Sequence, residues 1–193
     1  MSRVLGRRFG YDALVLATGS YAFVPPGVDH ETVAGDEPVT MFYIYQPTAE
    51  QVDAAWAPDT RGLMVATPSN PTGTLLDPQE MRRIAAFVAE RGGVLIVDEI
   101  YQGLVYGSTP VSACALPGEV VVINSFSKYF CMTGWRLGWL VVPQAWVGAF
   151  EKLAQNLFIC ASTLSQRAAL GCFTPASMTE FHRRREQFRA RRD

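Results

Sequence analysis

Val120-Val121-Val122-Ile123-Asn124-Ser125-Phe126-Ser127-Lys128-Tyr129-Phe130-Cys131-Met132-Thr133-Gly134-Trp135-Arg136-Leu137-Gly138 is the stretch on which the fold of this chain turns. Its first four residues are β-branched and apolar, the pattern of a strand buried on both faces of a parallel sheet. The chain then leaves the sheet at the carboxyl end of that strand, where open α/β sheets place their ligands. A lysine follows among hydroxyls and aromatic rings (Phe126, Tyr129, Phe130 and Trp135), with an arginine eight positions further on. Taken alone, Lys128 reads better as a surface lysine whose stem lies along apolar neighbours, as most lysines are.

An amine partly withdrawn from water attacks carbonyls. That is what a Schiff-base lysine requires, including one that holds pyridoxal phosphate (PLP). Ser125, Ser127 and Arg136 supply the hydroxyls and the fork-shaped cation that hold a phosphate dianion. Asp98 closes a second buried run, Val94-Leu95-Ile96-Val97-Asp98-Glu99. A carboxylate there needs a cation or a strong donor, and a protonated pyridine nitrogen would serve. Tyr101, at the start of the following turn, can aim its phenol at the same ligand. Asn70, in Pro68-Ser69-Asn70-Pro71-Thr72-Gly73 after the strand Gly62 to Thr67, can donate to a ring oxygen. Singly, Asn70 is an ordinary turn residue, Asp98 a helix N-cap and Tyr101 a core aromatic. Their recurrence at successive strand ends is the signal.

Residues 41–193 resemble the large domain of the class I/II, fold-type-I, PLP-dependent aminotransferases. The resemblance rests on Ser69-Asn70-Pro71-Thr72-Gly73, on Asp98-Glu99-Ile100-Tyr101, and on Ser125-Phe126-Ser127-Lys128 followed by Gly134-Trp135-Arg136-Leu137-Gly138, in the family's order. It implies an α/β fold: a mostly parallel sheet with flanking helices, the PLP-dependent transferase large domain in truncated form. By the resemblance, Lys128 carries PLP and moves the substrate's α-proton, and Asp98 pairs with the pyridine nitrogen. Asn70 and Tyr101 contact the ring hydroxyl oxygen, while Ser125, Ser127 and Arg136 hold the phosphate. An amino acid and a 2-oxo acid are the implied substrates, and a homodimer the implied assembly. The alternative is a non-enzymatic domain that at most binds PLP or a partner.

Nothing before Tyr43 resembles the family's glycine-rich phosphate grip or its ring-stacking aromatic, and the family continues past the position of Asp193. The chain as given is therefore expected to bind PLP weakly and turn over little. Residues 1–40 are read as a separate segment. Its Ala17-Thr18-Gly19 strand end is similar to that of flavin-dependent pyridine-nucleotide oxidoreductases. It lacks the Gly-x-Gly-x-x-Gly turn that a dinucleotide needs, and is expected to be a fusion remnant.

Composition excludes other classes. With 49% hydrophobic residues and a net charge of −1 in 193 residues, neither disorder nor a nucleic-acid field is indicated. Cys114, Cys131, Cys160 and Cys172 show no paired spacing, and with two histidines no metal cluster is expected, which suits a reducing cytoplasm. No apolar run is long enough for a membrane span. Amphipathic spacing predicts helices over Pro78 to Arg91, Trp146 to Phe158 and Ser165 to Phe173, alternating with strands including Trp139 to Val142. The basic run from Thr179 to Asp193 reads as a helix, its Phe181 and Phe188 docked on one face and its arginines solvated, rather than as a nucleic-acid stripe.

Overall fold

A computed structural model of the chain describes the backbone of residues 30–34 and 37–43, and residues 47–192 with their side chains. The strand expected near Tyr11 and the Ala17-Thr18-Gly19 turn lie outside the described residues. Among the described residues six strands form one sheet in chain order: β1 (His30–Ala34), β2 (Glu37–Tyr43), β3 (Thr60–Ala66), β4 (Val94–Asp98), β5 (Val120–Ser125) and β6 (Gly138–Val141). β2, β3, β4 and β5 run parallel. The two edges are antiparallel, β1 on β2 and β6 on β5. β6 returns antiparallel because residues 126–137 turn back at the sheet edge, with no crossover helix to carry the chain to the other end. Its residues are all exposed.

Alternation along the strands sorts the apolar side chains onto two faces. Leu63, Val65, Leu95, Val97 and Val122 meet Val52 of α1 (Ala49–Ala55) and Met81, Ile84, Ala85 and Val88 of α2 (Pro78–Glu90). Ile84 and Val97 are fully buried, each worth about 1.5–3 kcal/mol relative to exposure. On the opposite face Met64, Ile96 and Val121 form a smaller cluster, with Val142 and Trp146 packed against it. Asp98, two residues beyond Ile96, belongs to this second face.

α2 starts where the sequence places it. Asp77 caps it by accepting from the Gln79 and Glu80 amides at 2.8 and 3.2 Å, with Pro78 in the first turn. It stops at Gly92, whose φ of +65° lies in the left-handed region. Gly93, directly after it, lies where a Cβ would come within 2.7 Å of the Trp56 ring.

The predicted helices after β6 appear as α3 (Val147–Leu157) and α4 (Thr163–Leu170), and the terminal run as α5 (Pro175–Arg192). Phe181 docks as expected, buried against Tyr129 and Phe130. Phe188 differs: it is half exposed and does not share that core. In α5, Arg183 and Arg184 pair with Glu180, which holds the Glu180 carboxyl down to about 2 through their hydrogen bonds. No described helix is long and apolar enough to cross a membrane.

Candidate active site

Parallel pairing delivers the candidate residues to one edge. Ala66, Asp98 and Ile123 stand in register across β3, β4 and β5. The ladder runs one step past them, with the Thr67 amide donating to Asp98 O at 3.0 Å and the Glu99 amide to Ile123 O at 2.9 Å. Three loops leave this edge side by side, bearing Asn70, Tyr101 and Lys128.

The first loop is closed by the Ser69 amide to Thr74 O (2.9 Å) and the Gly73 amide to Ser69 O (2.7 Å), and Gly73 takes the positive φ the turn needs. Thr67 Oγ1 accepts from the Leu76 amide beneath it. Asn70 is exposed at the tip, and its Nδ2 reaches Tyr101 OH at 3.4 Å. Asp98 is buried at 4% exposure, and its Oδ1 accepts from the Ile100 amide at 2.9 Å, which shapes the turn toward Tyr101. Lys128 is half buried, with Nζ 5.5 Å from the Tyr101 ring centroid.

That ring differs from the expected surroundings of Lys128. Phe126 and Phe130 turn away into a core with Met132, Ala169, Cys172 and Phe181, and Trp135 is about half exposed. The aromatics after Lys128 follow helical α4 and α5, so they anchor the loop from behind.

Ser125 and Ser127 meet, their Oγ atoms 2.9 Å apart, and the Ser127 amide donates to Ser125 Oγ at 3.0 Å. Leu137 O accepts from the Phe126 amide and lies 3.1 Å from Ser125 Oγ, so Arg136 is held alongside the end of β5. Arg136 itself is exposed and has left-handed backbone (φ 50°), and its Nη1 donates to Thr133 O at 3.0 Å. The remaining guanidinium N–H groups are donors for an anion. An amine, a buried carboxylate, an amide beside a phenol, two hydroxyls and a guanidinium at one sheet edge suit a flat, charged ligand that carries a phosphate.

The chain matches the family model "Aminotransferase class I and II" over residues 10–193. The chain belongs to this family. Its members depend on PLP. Valine–pyruvate aminotransferase of Mycobacterium tuberculosis is 47% identical over 138 residues, 70% of this chain and 35% of that protein. The (5-formylfuran-3-yl)methyl phosphate transaminase of Methanocaldococcus jannaschii is 38% identical over 148 residues, 75% and 39% of the two chains. Among solved structures, Thermus thermophilus aspartate aminotransferase with maleate superposes with a TM-score of 0.72 at 32% identity, covering 76% of this chain and 39% of that one. This chain thus spans well under half the length of these relatives. The family match takes in most of the stretch set apart in the sequence, and β2 crosses residue 40.

Some residues that build the site carried no readable signal. Thr133 Oγ1 donates to Ser127 O (2.5 Å), and buried Ser165 of α4 donates to Trp135 O (2.7 Å), both pinning the loop. Glu99 lies directly after Asp98 in the same motif. It is 2% exposed and accepts from the Ala113 amide (2.6 Å) and Ser112 Oγ (3.0 Å). It thereby ties the returning chain under the Tyr101 turn.

Burial pushes the Glu99 carboxyl above its ordinary value of 4.5, against the lowering by its two donors. The folded chain then binds this proton more tightly than the unfolded one. Its contribution to stability is fully present below the ordinary carboxyl range and is lost as pH rises through the raised value. Glu99→Gln keeps an acceptor for Ala113, so its urea midpoint is expected to fall less than the parent's between pH 4.5 and 7. Glu99→Ala leaves the buried Ala113 amide without its acceptor and is expected to cost about 1–3 kcal/mol. Urea melts across that pH range check both, and a steeper fall for Glu99→Gln than for the parent overturns the sign.

Proposed function

We propose that this chain is the cofactor-bearing part of a PLP-dependent aminotransferase that moves an amino group between an amino acid and a 2-oxo acid. The observation that carries the reading is the meeting of Asn70, Tyr101 and Lys128 beside buried Asp98 at the carboxyl edge of β3, β4 and β5. PLP, when bound, supplies a sink for the electron pair left at the substrate Cα. Lys128 Nζ holds the cofactor and takes and returns the proton at Cα. The Asp98 carboxylate keeps the proton on the pyridine nitrogen. Asn70 Nδ2 and Tyr101 OH donate to the ring hydroxyl oxygen, and Ser125, Ser127 and Arg136 hold the phosphate.

We further assign the protein to the cytoplasm as a homodimer. Four free cysteines support a reducing compartment. Exposed Phe158, Ile159, Leu164, Leu170 and Phe173 support an apolar surface covered by another copy.

The test of the Lys128 role is spectroscopic. Full-length chain with PLP is expected to show a visible absorbance band that borohydride abolishes, the reduced label mapping to Lys128, and Lys128→Ala is expected to lose the band. Labelling at another lysine, or at none, rejects the assignment.

Asp98 and Arg136 separate chemistry from affinity. Asp98→Asn keeps size and hydrogen bonding but loses the charge, so it is expected to slow half-transamination far more than it weakens PLP binding. Arg136→Ala is expected to weaken PLP binding by roughly ten- to a hundredfold, the value of about 1.5–3 kcal/mol for a charge-assisted contact. Equilibrium titration and single-turnover assays check the pair, and parent-like behaviour of both removes these roles.

The 193 residues by themselves are expected to turn over far below about 1 per second, since binding without a clamped substrate gives little rate and the match takes in only 35% and 39% of the two relatives. Steady-state assays over a panel of amino acids and 2-oxo acids measure this, and ordinary enzyme rates would show that these residues complete the pocket.

A further inference from the structure

Gly103 lies in the short turn Gln102–Leu104 two residues after Tyr101, with φ outside the left-handed region, so its backbone does not demand glycine. Its neighbour does. A Cβ there would lie 2.7 Å from Cδ2 and 2.8 Å from Cβ of Tyr129. Those atoms are the root of the side chain, so a clash moves the Lys128-Tyr129 backbone as well as the ring. The ring has no room to retreat: Phe130 lies 5.1 Å away, and Phe181 and His182 of α5 lie 5.7 and 6.4 Å away, centroid to centroid. Burial among these groups raises the Tyr129 phenol above its ordinary value. Tyr129 is thus wedged between the turn that carries Tyr101 and helix α5, immediately beside Lys128. The two flanking residues are the ones that face each other, Lys128 Nζ over the Tyr101 ring.

We propose that Tyr129, seated on Gly103 and backed by α5, is a positioning residue that sets the spacing of Lys128 and Tyr101, and so the fit of PLP between loops that come from different strands. The inference rests on the cofactor site proposed above. It ties the glycine at 103 to the side chain at 129, whose ring and Cβ both close on it.

The experiment is a double-mutant cycle read by PLP titration and by the borohydride-sensitive band at Lys128. Gly103→Ala is expected to weaken PLP binding at least tenfold and shift or abolish the band. In a Tyr129→Ala background the same Gly103→Ala change is expected to cost at most about a third as much, because the ring contacts are gone and only the 2.8 Å approach to the Cβ at 129 remains. Tyr129→Phe keeps the ring and is expected to bind as the parent, while Tyr129→Ala alone loses affinity about tenfold. Far-UV circular dichroism and a cooperative melt verify folding of each variant. An equal cost of Gly103→Ala in both backgrounds, or none in either, overturns the proposal. Where Gly103→Ala does not fold, the comparison of Tyr129→Ala with Tyr129→Phe decides, and parent-like binding by Tyr129→Ala overturns it. A parent chain that is never labelled at Lys128 removes the cofactor site and this inference together. A labelled parent with unchanged variants removes the inference alone.

Discussion

The parallel registration of β3, β4 and β5 is the constraint from which the rest follows. Because Ala66, Asp98 and Ile123 sit in one row, residues far apart in sequence emerge at one edge. An antiparallel arrangement of the same strands would send alternate loops to opposite ends. The row also explains why a carboxylate can end β4 at 4% exposure. Its backbone carbonyl takes the Thr67 amide and its side chain the Ile100 amide, so the groups around it are paired within the sheet edge and its turn.

β4 and β5 were legible because each reads as a short run rich in β-branched residues that ends at a turn, β3 because its apolar run leads into the turn at 68–73, and α2 because Asp77, Pro78 and Gly92 punctuate it; the polar residues of β1 and β2 carried no such pattern. The direction of β6 was not. Trp139 to Val142 has the composition of any strand, and only the loop that brings Ser125 opposite Gly138 decides that it runs back. The boundary at residue 40 rests on motif content, and β2 (Glu37–Tyr43) runs across that position. Phe181 and Phe188 share a helical spacing, yet only Phe181 lies within reach of the Tyr129 and Phe130 rings.

The residue types of the candidate site were readable one motif at a time. Their mutual geometry was not, since it depends on long-range contacts. No local pattern announces that Lys128 faces the Tyr101 ring, nor that Ser165 of α4 closes the loop through Trp135 O. Glu99 shows the same limit from the other side. Its place in the motif was plain, but its work is to hold residues 112–113, which lie beyond any local window.

The Lys128 loop carries a further cost that its neighbours meet. Cys131 and Arg136 both take left-handed backbone, at φ 57° and 50°, a conformation that costs a non-glycine residue roughly 1–3 kcal/mol. Such backbone persists only where the surroundings over-determine it. Here the Cys131 amide donates to Lys128 O, the Met132 amide to Phe126 O and the Trp135 amide to Met132 O, each at 3.0 Å. Thr133 and Ser165 close the same loop through their hydroxyls. Behind it Phe126 and Met132 are buried with Ala169, Cys172 and Phe181, so α4 and α5 resist any relaxation that would pull these side chains out. Lys128 is therefore presented by a segment whose shape is imposed from outside. Loosening α4 or α5 would release the strain at the two left-handed residues on either side of the turn before it disturbed the parallel strands.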